Sequence, residues 1–435
     1  MGCGARSAPA RHVVARNYTC EHSANPPQST LQPGELAIVN SIPRVVLAPD
    51  SFKGSLSAPD VCAALAIGLR RVWPEVEIAQ RPMADGGEGT LDAVLAAVGS
   101  SGRRGTARVC GAGGATLTAD YGVIERDGVR TGVIEIAQVV GITDVAAMQV
   151  PIAERSTKGV GGLLQTLLYS DVSQFMIGLG GSSTNDGGAG LLAALGVRLL
   201  DANGNEVAPT PLGLARVARI DATQLDPRVS SCPITIMSDV NNPLCGLTGA
   251  TAIFGPQKGV APGQIDEFDA TLARFAKLAV EAMERKGPER NGVGRNVAAL
   301  PGAGAAGGLG FALQLLGGRF SSGADVVADL IGLSPALAAA DWAITGEGRS
   351  DRQTLLRKAP FVVAERGALQ RVPVTLISGA IDAAALPALG AHFAGCFGLP
   401  NGPATLADCI ANAGDFLADR AEQLARLRGV CVASK

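Results

Sequence analysis

The segment Ile177-Gly-Leu-Gly-Gly-Ser-Ser-Thr-Asn-Asp-Gly-Gly-Ala-Gly190 holds the densest set of residues suited to chemistry in this chain. Gly180, Gly181, Ser182 and Ser183 can offer successive N–H and O–H donors to phosphate oxygens, as an anion-binding nest does. Asn185 and Asp186 share that loop, and Asp186 is placed to take a proton from an acceptor hydroxyl or to order a metal ion. A glycine turn with only a structural task would need fewer polar residues.

The same texture recurs elsewhere. Asp50-Ser51-Phe52-Lys53-Gly54-Ser55 sets an acid, hydroxyls and a lysine before an expected helix, whose N-terminus would make an anion seat. Met83-Ala-Asp85-Gly-Gly-Glu88-Gly-Thr90 offers two carboxylates, Asp85 and Glu88, for Mg²⁺ or substrate hydroxyls, on a backbone that glycine lets a ligand approach closely. In Thr345-Gly-Glu-Gly-Arg-Ser-Asp351, Arg349 can fork onto a phosphate or carboxylate, with Glu347 and Asp351 to orient it or to bind metal. Ser238-Asp239-Val-Asn-Asn-Pro243 and the Lys258 of Gly255-Pro-Gln-Lys-Gly259 fit a site and plain turn chemistry equally well. Each loop alone also reads as an ordinary turn with solvated charges; their repetition favours a site.

These loops need strands to hold them. Arg44 to Pro49 is a short apolar run that reads as a buried strand, followed by a helix with Ser57 as N-cap, Pro59 in its first turn, and Val61, Leu65, Leu69 and Val72 at helical spacing. Val76 to Arg81 predicts a second strand and Thr90 to Val98 a second helix, which is the alternation of a parallel sheet with helical faces. Around Asp127-Gly128, a pair suited to a type I′ turn, two alternating runs predict an antiparallel hairpin over Tyr121 to Ala137. Phe175–Leu179, Ile234–Met237, Trp342–Thr345 and Val374–Ile377 predict further buried strands, each feeding a polar loop. Ligands of open α/β sheets collect beyond the carboxyl ends of the strands, where these loops lie. After a charged helix, Lys286 to Gly292 reads as a linker.

At 435 residues the chain is expected to form two domains. Its 37 Lys+Arg against 39 Asp+Glu provide no overall field to attract nucleic acid or an acidic membrane, and its apolar runs are too short to span a bilayer. Small molecules are the expected partners. Nine scattered cysteines without a CxxC pair read as reduced cytoplasmic thiols. Residues 1–43 read as a poorly ordered extension, with a transit peptide as the minor alternative.

Gly302-Ala-Gly-Ala-Ala-Gly307 matches a dinucleotide fingerprint, with Asp325 about 20 residues on, yet no convincing strand precedes it, so a packed turn is the favoured reading. No GxxxxGK[ST] segment exists, and His392, the only histidine beyond the extension, lies in none of these loops, which argues against a Walker-type kinase and a Ser-His-Asp hydrolase. Anion seats, loose carboxylates, a lysine and an arginine suit a small-molecule kinase, because phosphoryl transfer asks mainly for positioning and charge neutralisation.

From Arg44 to the C-terminus the chain resembles the bacterial glycerate kinases, through APDSFKGSLSA, MADGGEGT, IGLGGSSTNDGGAG, SDVNNPLCG, FGPQKG, GAAGGLGFA and TGEGRSDRQT in that order. The resemblance implies Mg²⁺-assisted transfer from ATP to D-glycerate, with 2-phosphoglycerate favoured over 3-phosphoglycerate as product. It also implies an α/β fold of two domains: a Rossmann-like parallel-sheet domain from residues 44–105 and 297–435, a mixed-sheet α/β domain inserted over 106–296, and a cleft between them. Catalysis is assigned to Lys53, Asp186 and Arg349; phosphate and substrate binding to Asp50, Ser51, Asp85, Glu88, Gly180, Gly181, Ser182, Ser183, Asn185 and Glu347; metal binding to Asp239 and Asp351. A monomer or homodimer is expected. Two features depart from the family: Arg357 stands where glycine is common, and residues 1–43 have no counterpart. A kinase of GHMP type would share the GGSS loop but not DSFKGS or TGEGRSD, and a non-catalytic sensor of small hydroxy acids would bind glycerate without consuming ATP.

Overall fold

The computed structural model describes residues 43–285 and 296–432. The expected N-terminal extension, apart from its last residue, and the expected linker at 286–292 lie outside the described residues. The strands run, in chain order, β1 (Arg44–Leu47), β2 (Glu77–Gln80), β3 (Gly102–Cys110), β4 (Thr116–Arg126), β5 (Val129–Glu135), β6 (Gln174–Gly178), β7 (Arg198–Leu200), β8 (Arg219–Asp221), β9 (Ile234–Met237), β10 (Arg319–Ser321), β11 (Trp342–Ser350), β12 (Val374–Ile381) and β13 (Gly395–Gly398). Among the described residues no helix is long and apolar enough to cross a membrane.

Five strands form one parallel sheet in the order β13-β12-β11-β1-β2. A parallel sheet must be covered on both faces, so its strands are apolar on both. Val45, Leu47, Trp342 and Ile344 enter one core with Leu65, Leu69 and Leu417, while Val46, Ala343 and Leu376 enter the opposite core with Val327 and Val363. Helix Ala58–Val72 is capped by Ser57, whose hydroxyl accepts from the Asp60 amide at 3.3 Å, and carries Pro59 in its first turn. Its buried Val61, Leu65 and Leu69 each contribute about 1.5–3 kcal/mol by leaving water. Gly68 lets it close on the C-terminal helix Ala413–Val432, for a Cβ there would stand 2.0 Å from the Ala418 carbonyl oxygen.

Six strands form the second sheet, in the order β10-β9-β6-β5-β4-β3. Its β3, β4 and β5 pair antiparallel, and β5, β6, β9 and β10 pair parallel. The β4–β5 turn has Asp127 at φ 53° and Gly128 at φ 76°, the left-handed pair that a type I′ hairpin requires.

Two expectations are corrected here. The loop expected at Thr345–Asp351 is strand through Ser350, because β11 continues beside β12 with Arg349 opposite Ala380 and Ser350 opposite Ile381. Its glycines do not break the strand. Gly346 is required by packing, since a Cβ would meet the Ile377 carbonyl oxygen at 2.1 Å. Second, β3 starts at Gly102 and β10 at 319–321 joins the second sheet, so that sheet's segment overruns the expected limits of 106 and 296 at both ends.

The fingerprint-like glycines follow a 3-10 turn, Val297–Ala299, and not a strand. They carry Ala306, Gly307 and Gly308 through the left-handed region at φ 52°, 68° and 92°. A Cβ on Gly307 would lie 2.0 Å from the Thr184 carbonyl oxygen. This turn is therefore a packing surface beneath the Gly180–Gly190 loop.

Candidate active site

The carboxyl ends of β1 and β2 in one sheet and of β5, β6 and β9 in the other feed loops that line two adjoining cavities. The loops after β2 and β6 meet backbone to backbone. A Cβ on Gly178 would lie 2.3 Å from the Gly86 carbonyl oxygen, and one on Gly180 would lie 2.6 Å from the Gly87 Cα. One cavity, of about 280 Å³, is lined by Ser51, Lys53, Ser55, Glu88, Arg104 and Glu135 among others. The other, of about 360 Å³, is lined by Lys53, Asp85, Gly87, Gly180, Asp239 and Lys358 among others. Lys53 lines both.

Lys53 stands on a tight turn closed by mutual hydrogen bonds between Phe52 and Leu56, at 2.9 and 3.0 Å. Carboxylates surround it: Asp85 first, then Asp50, Glu88 and Glu347 raise its pKa and hold it cationic. The expected anion seat at the following helix end is not available, because Ser57 and Asp60 cap that end themselves. The N-terminus of helix Thr90–Val98 is likewise taken, by the buried Glu135 carboxylate accepting from the Leu91 amide.

The residues expected to bind phosphate divide into a free tip and a tied base. The N–H groups of Gly180, Gly181 and Ser182 have no hydrogen-bond partner among the described residues, and Gly181 turns through φ 68°. Three free amides around a left-handed residue make an anion nest. Ser183 differs from its expected role, for its amide and hydroxyl both donate to the Val140 carbonyl, at 2.8 and 2.9 Å. Asn185 is buried and donates to Thr251 Oγ1 at 2.9 Å.

Asp186 also departs from expectation. It is fully buried, and its carboxylate accepts from the Thr157 amide and hydroxyl at 2.7 and 2.8 Å and from the Gly188 and Gly190 amides at 3.1 Å each. Burial raises its pKa, with those hydrogen bonds opposing. A carboxylate with four donors organises the loop; it does not stand free to receive an acceptor's proton.

Asp50 and Glu347 are buried, 5% and 6% exposed, and line neither cavity. Desolvation, then the Asp85 charge, holds Asp50 well above the usual carboxylate range. Glu347 is also raised by burial, and accepts from Ser350 and Thr354 hydroxyls at 2.8 and 2.6 Å. Arg349 is exposed, lines neither cavity, and its side chain has no hydrogen-bond partner among the described residues. The three residues assigned to catalysis are thus not gathered in one cavity.

Asp239 sits at the cavity rim, solvent-accessible yet crowded by protein. Desolvation there, with Asp85 and Asp325 nearby, pushes its pKa up to about 7 against the opposing Arg357. Asp351 is not its partner in a metal site: its carboxylate accepts from the Gln353 amide at 2.7 Å and caps the Arg352–Leu355 turn. Among the described residues no group of three or more His, Cys, Asp or Glu could enclose a metal. Asp85 and Asp239 are the carboxylates that share a cavity with the anion nest, and each repels the other's charge. Two carboxylates suit Mg²⁺, which takes its remaining ligands from water and phosphate.

Glu135, Arg104, Lys358 and the buried Arg155 were not singled out by the sequence. Glu135 had a legible signal: β5 runs parallel to β6, so its carboxyl end joins the same crevice. Lys258, which fits a site and plain turn chemistry equally well by sequence, is 2% exposed and donates to Ser182 Oγ at 2.7 Å and the Thr184 carbonyl at 2.9 Å. Arg357 adopts φ 63°, the conformation glycine would supply, and pairs with Asp325 at 2.5 Å.

Residues 45–429 match the model of the glycerate kinase family. The chain is 40% identical to glycerate 2-kinase of Escherichia coli K12, over 78% of this chain and 85% of that one. It is 36% identical to glycerate kinase of Bacillus subtilis 168, over 88% of this chain and 97% of that one. A crystal structure from Salmonella typhimurium LT2, provisionally assigned as glycerate kinase 2, superposes with a TM-score of 0.76 at 38% identity, covering 89% of this chain and 98% of that one.

Proposed function

The chain belongs to the glycerate kinase family, and from that premise we propose that it transfers the γ-phosphoryl group of ATP to D-glycerate, giving 2-phosphoglycerate. One observation carries the assignment of the site: Gly180, whose amide is free like those of Gly181 and Ser182, lines the larger of two cavities that share Lys53. The nest and Lys53 hold the phosphates, and developing charge is met by fixed donors that need no rearrangement. The smaller cavity takes glycerate, whose carboxylate and hydroxyls find donors in Lys53 and in the Ser51 hydroxyl, which has no partner among the described residues. Lys53, on the wall between, stays cationic among its carboxylates and touches both substrates.

Asp85 and Asp239 are the residues that would hold Mg²⁺, which supplies charge neutralisation on the phosphates when bound. Asp186 keeps the nest in shape through its four hydrogen bonds. The choice of the 2-hydroxyl is supported by the name of the E. coli relative. The two-domain division is part of the same reading, with the crossing between sheets set near Gly102 and again after Ser321. So is a cytoplasmic site of action, in keeping with the free cysteines of the described chain.

The test is ATP consumption by the purified protein with Mg²⁺ and D-glycerate, beside L-glycerate, glycerol and mevalonate, with the product read by phosphorus NMR. A single 2-phosphoglycerate resonance from D-glycerate is expected. The 3-phosphate would overturn the regiochemistry, and folded protein without turnover on any acceptor would overturn the kinase reading.

A further inference from the structure

Beneath the anion nest lie two buried cations, Lys258 and Arg155, each 2% exposed. Arg155 reads as structural: its guanidinium donates to the Val150 and Met148 carbonyls at 2.8 and 2.9 Å, and to those of Ser183 and Lys258 at 3.0 and 2.9 Å. All of these are backbone oxygens that need a donor. Lys258 is different. One of its two acceptors is a side-chain hydroxyl, Ser182 Oγ at 2.7 Å, on the residue that ends the nest.

That direction of donation has a consequence. As an ammonium Lys258 has only hydrogens to offer, so in that form Ser182 Oγ accepts, and its own hydrogen points away from Lys258. Ser182 Oγ donates to no acceptor among the described residues, while the amides of Gly180, Gly181 and Ser182 beside it are likewise free. We propose that Lys258 is a positioning residue for phosphoryl transfer, which turns the Ser182 hydroxyl toward the bound phosphate and places a positive charge beneath the nest. The proposal deepens the reading of Gly180–Ser182 as the phosphate seat and rests on it.

The surroundings make this charge responsive. Asp186 is the carboxylate acting on Lys258 and Arg155 the neighbouring cation; burial dominates both and lowers the lysine to about 7. A phosphate seated above the loop favours the ammonium and raises that value. Nucleotide binding near pH 8 therefore draws a proton onto Lys258.

The experiment is calorimetry of a non-hydrolysable ATP analogue with Mg²⁺ from pH 6 to pH 9, in buffers of different ionisation enthalpy, on wild type, Lys258→Met and Ser182→Ala. Wild type is expected to take up roughly half a proton per nucleotide at pH 8 beyond any uptake by Lys258→Met. Affinity at pH 7 should fall about tenfold in either variant, the loss of one charge-assisted donor. Equal proton uptake in wild type and Lys258→Met would overturn the proposal. If Lys258→Met does not fold, Ser182→Ala decides, since unchanged affinity there removes the hydroxyl from the seat. Absence of nucleotide binding by folded wild type would instead overturn the phosphate-seat reading itself.

Discussion

Gly180 and Gly87 face each other without side chains: a Cβ on Gly180 would stand 2.6 Å from the Gly87 Cα. The contact joins a loop that follows β6 in the mixed sheet to one that follows β2 in the parallel sheet. Gly180→Ala is expected to push these loops apart by a few tenths of an ångström or more. Overpacking of this kind costs about 1–3 kcal/mol. Misplacement at a reacting centre costs about 10²-fold, so kcat/KM should fall far more than the melting temperature. Unaltered kinetics would show that the apposition does not position the site.

Asp186 provides a test between a structural and a chemical carboxylate. Asp186→Asn replaces one acceptor oxygen with an NH₂ that must face either the Gly188 amide or the Thr157 and Gly190 donors. Loss of about 3 kcal/mol of stability is expected in urea unfolding, because buried donors are left unpaired. A general base would instead leave stability unchanged and lose only kcat.

Arg357 is held at φ 63° without glycine's freedom. Arg357→Gly should relieve about 1 kcal/mol of backbone strain while losing half-exposed ion pairs to Asp325 and Glu365 worth no more than about 1 kcal/mol. The net change is expected to be close to zero. Arg357→Ala keeps the strain and loses the pairs, and so should fall about 1 kcal/mol below Arg357→Gly in the same unfolding measurement.

Metal dependence should separate Asp239 from Asp351. Asp239→Asn removes one of the two carboxylates beside the nest and is expected to raise the half-saturating Mg²⁺ concentration about tenfold or more. Asp351→Asn alters a capping residue whose contact is with the Gln353 amide. It should leave the Mg²⁺ titration unmoved, and a shift as large as that of Asp239→Asn would return Asp351 to the metal site.

The sequence by itself determined the central strands, because their apolar runs have the length and composition of buried strands; β9 falls at Ile234–Met237 as its pattern predicts, and β1 starts at Arg44, whereas β3, β7, β8, β10 and β13 left no such run to read. It also determined the family, through loops whose residue types survive in order. Tertiary structure decided which loop residues are free. Ser183 and Asp186 sit in the same polar run as Ser182, yet Val140 and Thr157, far away in the chain, consume their hydrogen-bonding capacity. Lys258 reads locally as a turn lysine, and becomes a buried cation only because its turn folds under a loop more than seventy residues earlier, at a separation of 76 residues from Ser182. Hydrogen-bond satisfaction and burial are set by neighbours in space, whereas local propensity and periodicity are written along the chain.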